Sequence, residues 1–570
     1  MTGLRAEDAP VIKGDRYKWV ALSNTTLGML MATLDASIVI IAMPAIFRGV
    51  GLDPLTPGNI SYLLWMIMGY LLVTAVLVVA FGRLGDMFGR VRMYNLGFAI
   101  FSAASLALSL DPMTGSSGAL WLICWRLVQA VGGAMLMANS AAILTDAFPD
   151  EQRGMALGVN QIAALGGQFL GLVLGGVLAA IDWRAVFWIN VPIGVIGTIW
   201  SYRSLRETGV SRRSRMDWSG TLTFTVGLAA ILAGITYGIQ PYGGHTMGWS
   251  SPLVLAAILG GVALLGLFCL IEMRVTAPMF DLALFRIRTF AAGNCAALLT
   301  AMARGGLQFM LIIWLQGIWL PLHGYDYADT PLWAGIYMLP LTAGFMLAGP
   351  LSGLLSDRFG TRPFATGGLL VMALSFAGLL LLPVNFDYPV FAALILLNGI
   401  GQGVFSSPNT SSIMSSVPPA RRGVASGMRA TFQNSGMSLS IGIFFSLMIT
   451  GLAARLPQSL AGGLQQQGVP ADVATHLSQL PPVATLFAAF LGYNPLGHLL
   501  APSGVLNTIP ADHAQKLTST TYFPELVAGP LHHGLIIVFS VATAMTLVAA
   551  IATMLRPNDP GKVRAPINEG

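Results

Sequence analysis

The 570-residue chain is poor in charge: 9% of its residues are Asp, Glu, Lys or Arg, against 55% hydrophobic. Soluble domains carry about 25% charged residues. A soluble core is therefore excluded, and lipid must be the solvent for most of the chain. Its three cysteines, Cys124, Cys269 and Cys295, lie inside apolar runs, so neither a disulfide framework nor a metal cluster is expected. The chain lacks a GxxxxGK[ST] phosphate loop, which argues against direct coupling to ATP. It also lacks an HExxH pair and a GxSxG elbow, the usual grounds for proposing an intramembrane hydrolase. No basic patch interleaved with aromatics points to nucleic acid, and no cofactor is expected.

What the chain does have is long apolar runs. About 20 apolar residues cross a bilayer core as a helix, the only open-chain structure that lipid permits. Fourteen stretches qualify, beginning with 19–44 and ending with 331–352, 363–382, 388–413, 424–454 and 531–555. The charges support an even count with both termini in the cytoplasm. Outside the membrane stand only Arg48, Arg184, Arg455 and Lys516, and within helices only Arg126, Arg304 and Arg429. The remaining Lys and Arg fall on the cytoplasmic side, as the positive-inside rule requires. Residues 1–18 and 556–570 are then cytoplasmic tails, and 455–530 is a long outer loop. The apolar stretch Pro481–Leu500 in that loop contains Asn494, Pro495 and His498, so it is expected to be an interfacial or packed helix there rather than a crossing.

The chain also repeats itself. Gly82-Arg-Leu-Gly-Asp86-Met-Phe-Gly89-Arg90 follows the second run, and Gly353-Leu-Leu-Ser-Asp357-Arg358-Phe-Gly360 follows the tenth. Pro149 to Gly154 and Pro419 to Gly423 form a second pair, and both pairs are about 270 residues apart. A duplicated six-helix unit follows: residues 19–203 and 289–555, with two inserted helices in 204–288. Substrate is expected near the midplane where the halves meet.

At these residues the sequence resembles the major facilitator superfamily, specifically its 14-helix drug:proton antiporter branch, over residues 19–555. Gly82–Arg92 is similar to the superfamily's loop between helices 2 and 3. Leu34-Asp35 to Pro44 is similar to the branch's helix-1 motif, with Ser37 and Ile40 at the usual Thr and Asn positions. Arg126-Leu-Val-Gln129 is similar to its helix-4 motif, and Asp182-Trp183-Arg184 with Asn190-Val-Pro192 also fits. The antiporter motif keeps Gly167, Gly171, Gly175 and Gly176 but has Leu172 where proline is usual, which removes a kink element. The resemblance implies an all-α fold of two six-helix bundles plus two inserted helices. It implies a secondary active transporter, not an enzyme, that exports small amphiphilic molecules or drugs against proton influx by alternating access. A proton-coupled symporter or a facilitator is the alternative on the same fold. A monomer in the bacterial inner membrane suffices.

Asp35 is the one acid placed inside a span, apart from Glu272 at a helix end. A charge at that depth costs about 2.5–3.5 kcal/mol on insertion scales, and a low dielectric favours the neutral carboxyl. Asp35 is therefore the leading proton-coupling residue, against the plainer reading of a permanently paired structural acid. Asp35 lies about 14 Å below the outer end of its helix and Arg126 about 10 Å from the start of its own. The two are expected to pair, with Arg126 competing against the proton. By the repeat offset Arg304 is the counterpart of Asp35, and the two are expected to face one cavity. Arg429 is expected at the cytoplasmic mouth. Trp65, Tyr70, Gln129, Gln161, Gln308, Trp314, Asn398, Gln402, Gln433 and Asn434 are candidate cavity residues, each with a helix–helix contact as its plainer reading. One acid against several arginines argues for a neutral, amphiphilic or anionic substrate. Gly82, Asp86, Gly89 and Arg90, with Asp357 and Arg358 as counterparts, form the expected gating loops.

Overall fold

A computed structural model of the full chain describes residues 15–53, 56, 58–207, 217–275, 278, 280–418 and 421–556. Residues 1–14, 557–570, Pro419 and Ala420 lie outside the described residues, and with them parts of both tails and of the second repeated pair. Among the described residues, 14 helices are long and apolar enough to cross a membrane. We label them α1 (Arg16–Val50), α2 (Ser61–Phe88), α3 (Arg90–Ser109), α4 (Gly115–Ala147), α5 (Met155–Ile181), α6 (Ala185–Ser204) and α7 (Trp218–Gly238). The series continues with α8 (Pro252–Glu272), α9 (Arg288–Leu322), α10 (Thr330–Phe359), α11 (Thr361–Leu381), α12 (Tyr388–Ser415), α13 (Val424–Gln466) and α14 (Tyr522–Met554). The fold is two six-helix bundles with α7 and α8 inserted between them.

The repeat is visible in the packing. α1 packs on α5, α2 and α3 on α4, and α3 on α6; in the same pattern α9 packs on α13, α10 and α11 on α12, and α11 on α14. The bundles meet through α5 against α10 and α2 against α13, which are equivalent pairs under the repeat. Lipid gives no hydrophobic drive for helix association, so small residues that let backbones approach must supply it. Gly97 and Gly132 let α3 and α4 touch, and Gly368 and Gly401 do the same for α11 and α12. The inserted α7 packs on α2 of one bundle and α13 of the other. α8 leaves Leu253, Leu259 and Val262 exposed, as a lipid-facing helix must.

The outer segment 455–530 departs from a loop. α13 runs on through Arg455 and Pro457 to Gln466. Its 43 residues span about 65 Å, roughly twice the hydrocarbon thickness, so its last turns stand outside. α14 begins at Tyr522. Between them lie short helices, including Ala471–Leu477 and Pro482–Phe490. Every residue of Pro482–Phe490 is buried, against α9, α13 and α14. This apolar piece is buried by protein along its whole length, which explains why its composition imitates a span.

Candidate functional site

Asp35 sits at the middle of α1 with no exposed surface. Its Oδ2 accepts from Arg126 Nη1 of α4 in a short ion pair. Its Oδ1 accepts from Gln129 Nε2 at 2.9 Å and from Asn190 Nδ2 of α6 at 2.7 Å. Arg126 also donates to Gln129 Oε1 at 2.7 Å and lies 4.2 Å from the Tyr70 ring centroid. Gln129 donates onward to Ser105 at 2.8 Å. One carboxylate thus holds α1, α4 and α6 together with three donors. A buried ion pair of this kind persists only when hydrogen bonds satisfy its remaining lone pairs. The arrangement is chemically asymmetric: Oδ1 takes neutral donors, and Oδ2 takes the charged one. A proton arriving on Oδ2 would displace Arg126 and leave the neutral bonds in place.

A second cluster occupies the boundary between the bundles. A narrow pocket is lined by residues of α5, α9, α10 and α12. Arg304 of α9 projects into it and donates from Nη2 to Gln168 Oε1 of α5 at 2.5 Å. Gln168 Nε2 donates in turn to Gln308 Oε1 at 2.8 Å, so this short chain crosses between the bundles. Leu165, Leu172, Met338, Leu341 and Phe345 supply an apolar wall, and Thr342 and Gln402 supply further polar atoms. No Asp or Glu lines the pocket.

The two clusters are separate, which corrects the expectation that Asp35 and Arg304 share one cavity. The reason is register. The Asp35 side chain points into its own bundle, where α4 and α6 offer donors, while Arg304 points across the interface toward α5. The same reason moves Gln129 and Tyr70 from the cavity to the Asp35 cluster. Gln308 and Gln402 do line the pocket. Gln161 is exposed on α5, two turns before Gln168 and on the same face. Trp65 packs edge-on against Tyr237 of the inserted α7 at 5.9 Å. Trp314 is buried among Phe386, Phe391 and Phe539 inside the C-terminal bundle. Asn398 is buried, and Gln433 accepts from Arg429 Nη1 at 3.3 Å. Asn434 offers its backbone carbonyl to Ser438. None of these last five lines the pocket.

The motif glycines connect the clusters. A Cβ at Gly167 would fall on the Leu30 carbonyl oxygen, at Gly171 on that of Leu34 and the Ser37 hydroxyl, and at Gly175 on Ile41. The stripe therefore seats α5 directly on the stretch of α1 that carries Asp35. Gly176 faces the other way, and a Cβ there would strike the Leu332 backbone of α10. Gly335 of α10 meets the Leu172 carbonyl just below. Both points lie on the side of the pocket where Gln316 Nε2 donates to the Ile41 carbonyl at 3.2 Å.

In the loop between α2 and α3 Arg90 bonds Asp86 at 2.7 Å and Asp146 of α4 at 2.6 Å, tying α2, α3 and α4 together. Gly85 lies against Asn139, and a Cβ at Gly82 would meet open space. Gly89 has φ 107° and ψ 126°, and Gly360 has φ 91° and ψ 153°. Only glycine adopts that region readily, so both halves require it at this turn. The C-terminal loop stops there: Asp357 and Arg358 are exposed, and Arg358 rests near the Phe359 ring at 5.5 Å. Sequence reasoning missed Gln168, Asn190 and Asp146. Gln168 repeats Gln161 at helical spacing, and Asn190 stands in a quoted motif; Asp146 gave no signal.

Comparison with known proteins agrees with this architecture. The Major Facilitator Superfamily model matches residues 25–303 and 215–441. The riboflavin transporter RibZ of Clostridioides difficile is 30% identical over 439 residues, 77% of this chain and 90% of that protein. The tetracenomycin C resistance and export protein of Streptomyces glaucescens is 28% identical over 551 residues, 96% of this chain and 93% of that protein. A bacterial homolog of the human lysosomal transporter Spinster has the same fold, with a TM-score of 0.58 and 16% identity, over 95% of this chain and 98% of that one. With a duplicated six-helix unit, a family match over most of its length and a relative that covers it almost end to end, this chain belongs to the Major Facilitator Superfamily.

Proposed function

We propose that the protein is a proton-coupled exporter of small amphiphilic organic molecules, working by alternating access in a bacterial inner membrane with both termini cytoplasmic. The observation that carries this reading is the buried Asp35–Arg126 pair on the helix that the glycine stripe holds against α5. Protonation of Asp35 frees Arg126 and loosens the junction of α1, α4 and α6. α5 rides on α1 and also makes the outer contact with α10 at Gly176 and the pocket contact at Gln168, so a change at Asp35 reaches both. The cargo binds in the pocket between the bundles, and the loop of Asp86, Arg90 and Asp146 acts as the latch on the cytoplasmic face. Export as the direction is supported by relatives named for resistance and export. A monomer holds every part of this machinery.

Symport is the second reading, favoured by one observation. Leu172 replaces the usual proline of the antiporter motif, and α5 runs unbroken without an internal proline.

The test uses inside-out vesicles loaded with a pH dye and made acid inside. Tetracenomycin C and riboflavin, the cargoes named for two relatives, are the first probes. Cargo-dependent proton efflux that disappears in Asp35→Asn supports antiport. Proton flux in the direction of cargo supports symport, and an unchanged flux in Asp35→Asn removes that residue from the mechanism.

A further inference from the structure

The pocket between the bundles is apolar over most of its wall, yet one permanent cation points into it. A guanidinium cannot be deprotonated at any working pH. Its usual partners inside proteins are carboxylates, because a buried charge without a counter-charge is costly. Among the described residues no ion pair involves Arg304. Its partners are both uncharged: a neutral amide oxygen, Gln168 Oε1 at 2.5 Å, and the Phe345 ring, whose centroid lies 5.6 Å from the guanidinium carbon. The rest of the polar lining, Gln308, Gln402 and Thr342, consists of groups that can also donate. The N-terminal bundle shows the contrast: its pseudo-equivalent position holds Asp35, and Arg126 there has that carboxylate as its counter-charge.

We infer that Arg304 is the receptor for an anionic group on the cargo, a carboxylate or an ionised phenol carried on an aromatic or aliphatic body, and that Gln168 is its placeholder when the pocket is empty. This deepens the reading of the pocket as the cargo site and rests on it. The apolar body lies against Leu165, Met338 and Phe345, and the anion takes the guanidinium in bidentate fashion, as arginine does better than lysine. Taking Arg304 releases the Gln168 side chain. Because Gln168 belongs to α5 and Arg304 to α9, cargo then exchanges a bond between the bundles for a bond to itself. Anionic cargo thus alters the interface that alternating access must remake, whereas a cation would meet a like charge and have nothing to replace.

The experiment is equilibrium binding to the purified full-length protein with three matched probes: 9-anthracenecarboxylate, neutral 9-anthracenemethanol and (9-anthracenylmethyl)trimethylammonium. Binding is read by quenching of the anthracene fluorescence in wild type, Arg304→Gln, Arg304→Lys and Gln168→Leu. The carboxylate is expected to bind tightest. Arg304→Gln should weaken it roughly ten- to hundred-fold, the range of a buried charge-assisted bond, and leave the alcohol within about threefold. Arg304→Lys should retain part of the preference. Gln168→Leu should tighten the carboxylate a few-fold by removing its competitor, a gain that loss of folding cannot produce. Equal binding of the three probes, failure of the carboxylate to bind, or equal weakening of all three in Arg304→Gln overturns the assignment. Weaker carboxylate binding in Gln168→Leu overturns the placeholder role. No proton gradient is present, so failure here leaves the Asp35 coupling intact, and an inactive Asp35→Asn transporter leaves this result unaffected.

Discussion

In the N-terminal bundle the charges within the spans are partnered: Arg126 with Asp35, and Arg90 with both Asp86 and Asp146. In the C-terminal bundle the same architecture is charged differently. Arg304 and Arg429 hold glutamine oxygens, and Asp357 is exposed. Aligning Gly89 with Gly360 sets Thr361 against Arg90. The helix pairings, by contrast, are conserved between the halves down to the glycines at the crossings. Duplication therefore kept the packing, which every bundle needs, and reassigned the charges. One half holds its buried acid and base as a pair; the other presents an arginine to the pocket between the bundles.

That contrast can be broken in a graded way. Asp35→Ala should be the costliest change, because it strands the Arg126 guanidinium without a counter-charge. A loss of about 3–5 kcal/mol is expected, read as a large fall in melting temperature in detergent. Gly171→Ala comes next. Its Cβ has only the Leu34 carbonyl and Ser37 to displace, and forced overpacking costs typically 1–3 kcal/mol. Gly158→Ala, which meets open space, is the control and should melt like wild type. Arg90→Ala removes the centre of a partly exposed network, so screening limits the cost to about 1 kcal/mol; slower transport in vesicles is the more sensitive readout. Asp357→Ala, its counterpart without a network, should leave both melting and transport unchanged. A C-terminal loop as sensitive as the N-terminal one would remove the asymmetry.

Much of this was legible in the sequence, for identifiable reasons. Helix length and apolarity are local, so the spans could be read directly, and the repeated loops fixed which helices correspond. The Asp35–Arg126 pairing followed from depth along two antiparallel helices. Depth does not give rotation about a helix axis, and that is where the reading failed. Asp35 and Arg304 match in position along the chain but face different neighbours, and Gln129 and Trp314 turn inward rather than toward the pocket. The apolar stretch within 455–530 was expected to lie there as a helix and not to cross, on account of Asn494, Pro495 and His498, and Pro482–Phe490 is a buried helix. Pro482–Phe490 is as apolar as a span because it is buried by protein, and sequence alone does not separate burial in protein from burial in lipid.

The central claim is that the protonation state of Asp35 sets the outer contact between α5 and α10. Spin labels at Ile181 and Asp329, both exposed at the outer ends of those helices, report on it directly once Cys124, Cys269 and Cys295 are replaced by serine. Double electron–electron resonance on the reconstituted protein at pH 8 and pH 5.5 should give two different distance distributions. Asp35→Asn should show one distribution at both values. A wild-type pH response that persists in Asp35→Asn would contradict the account.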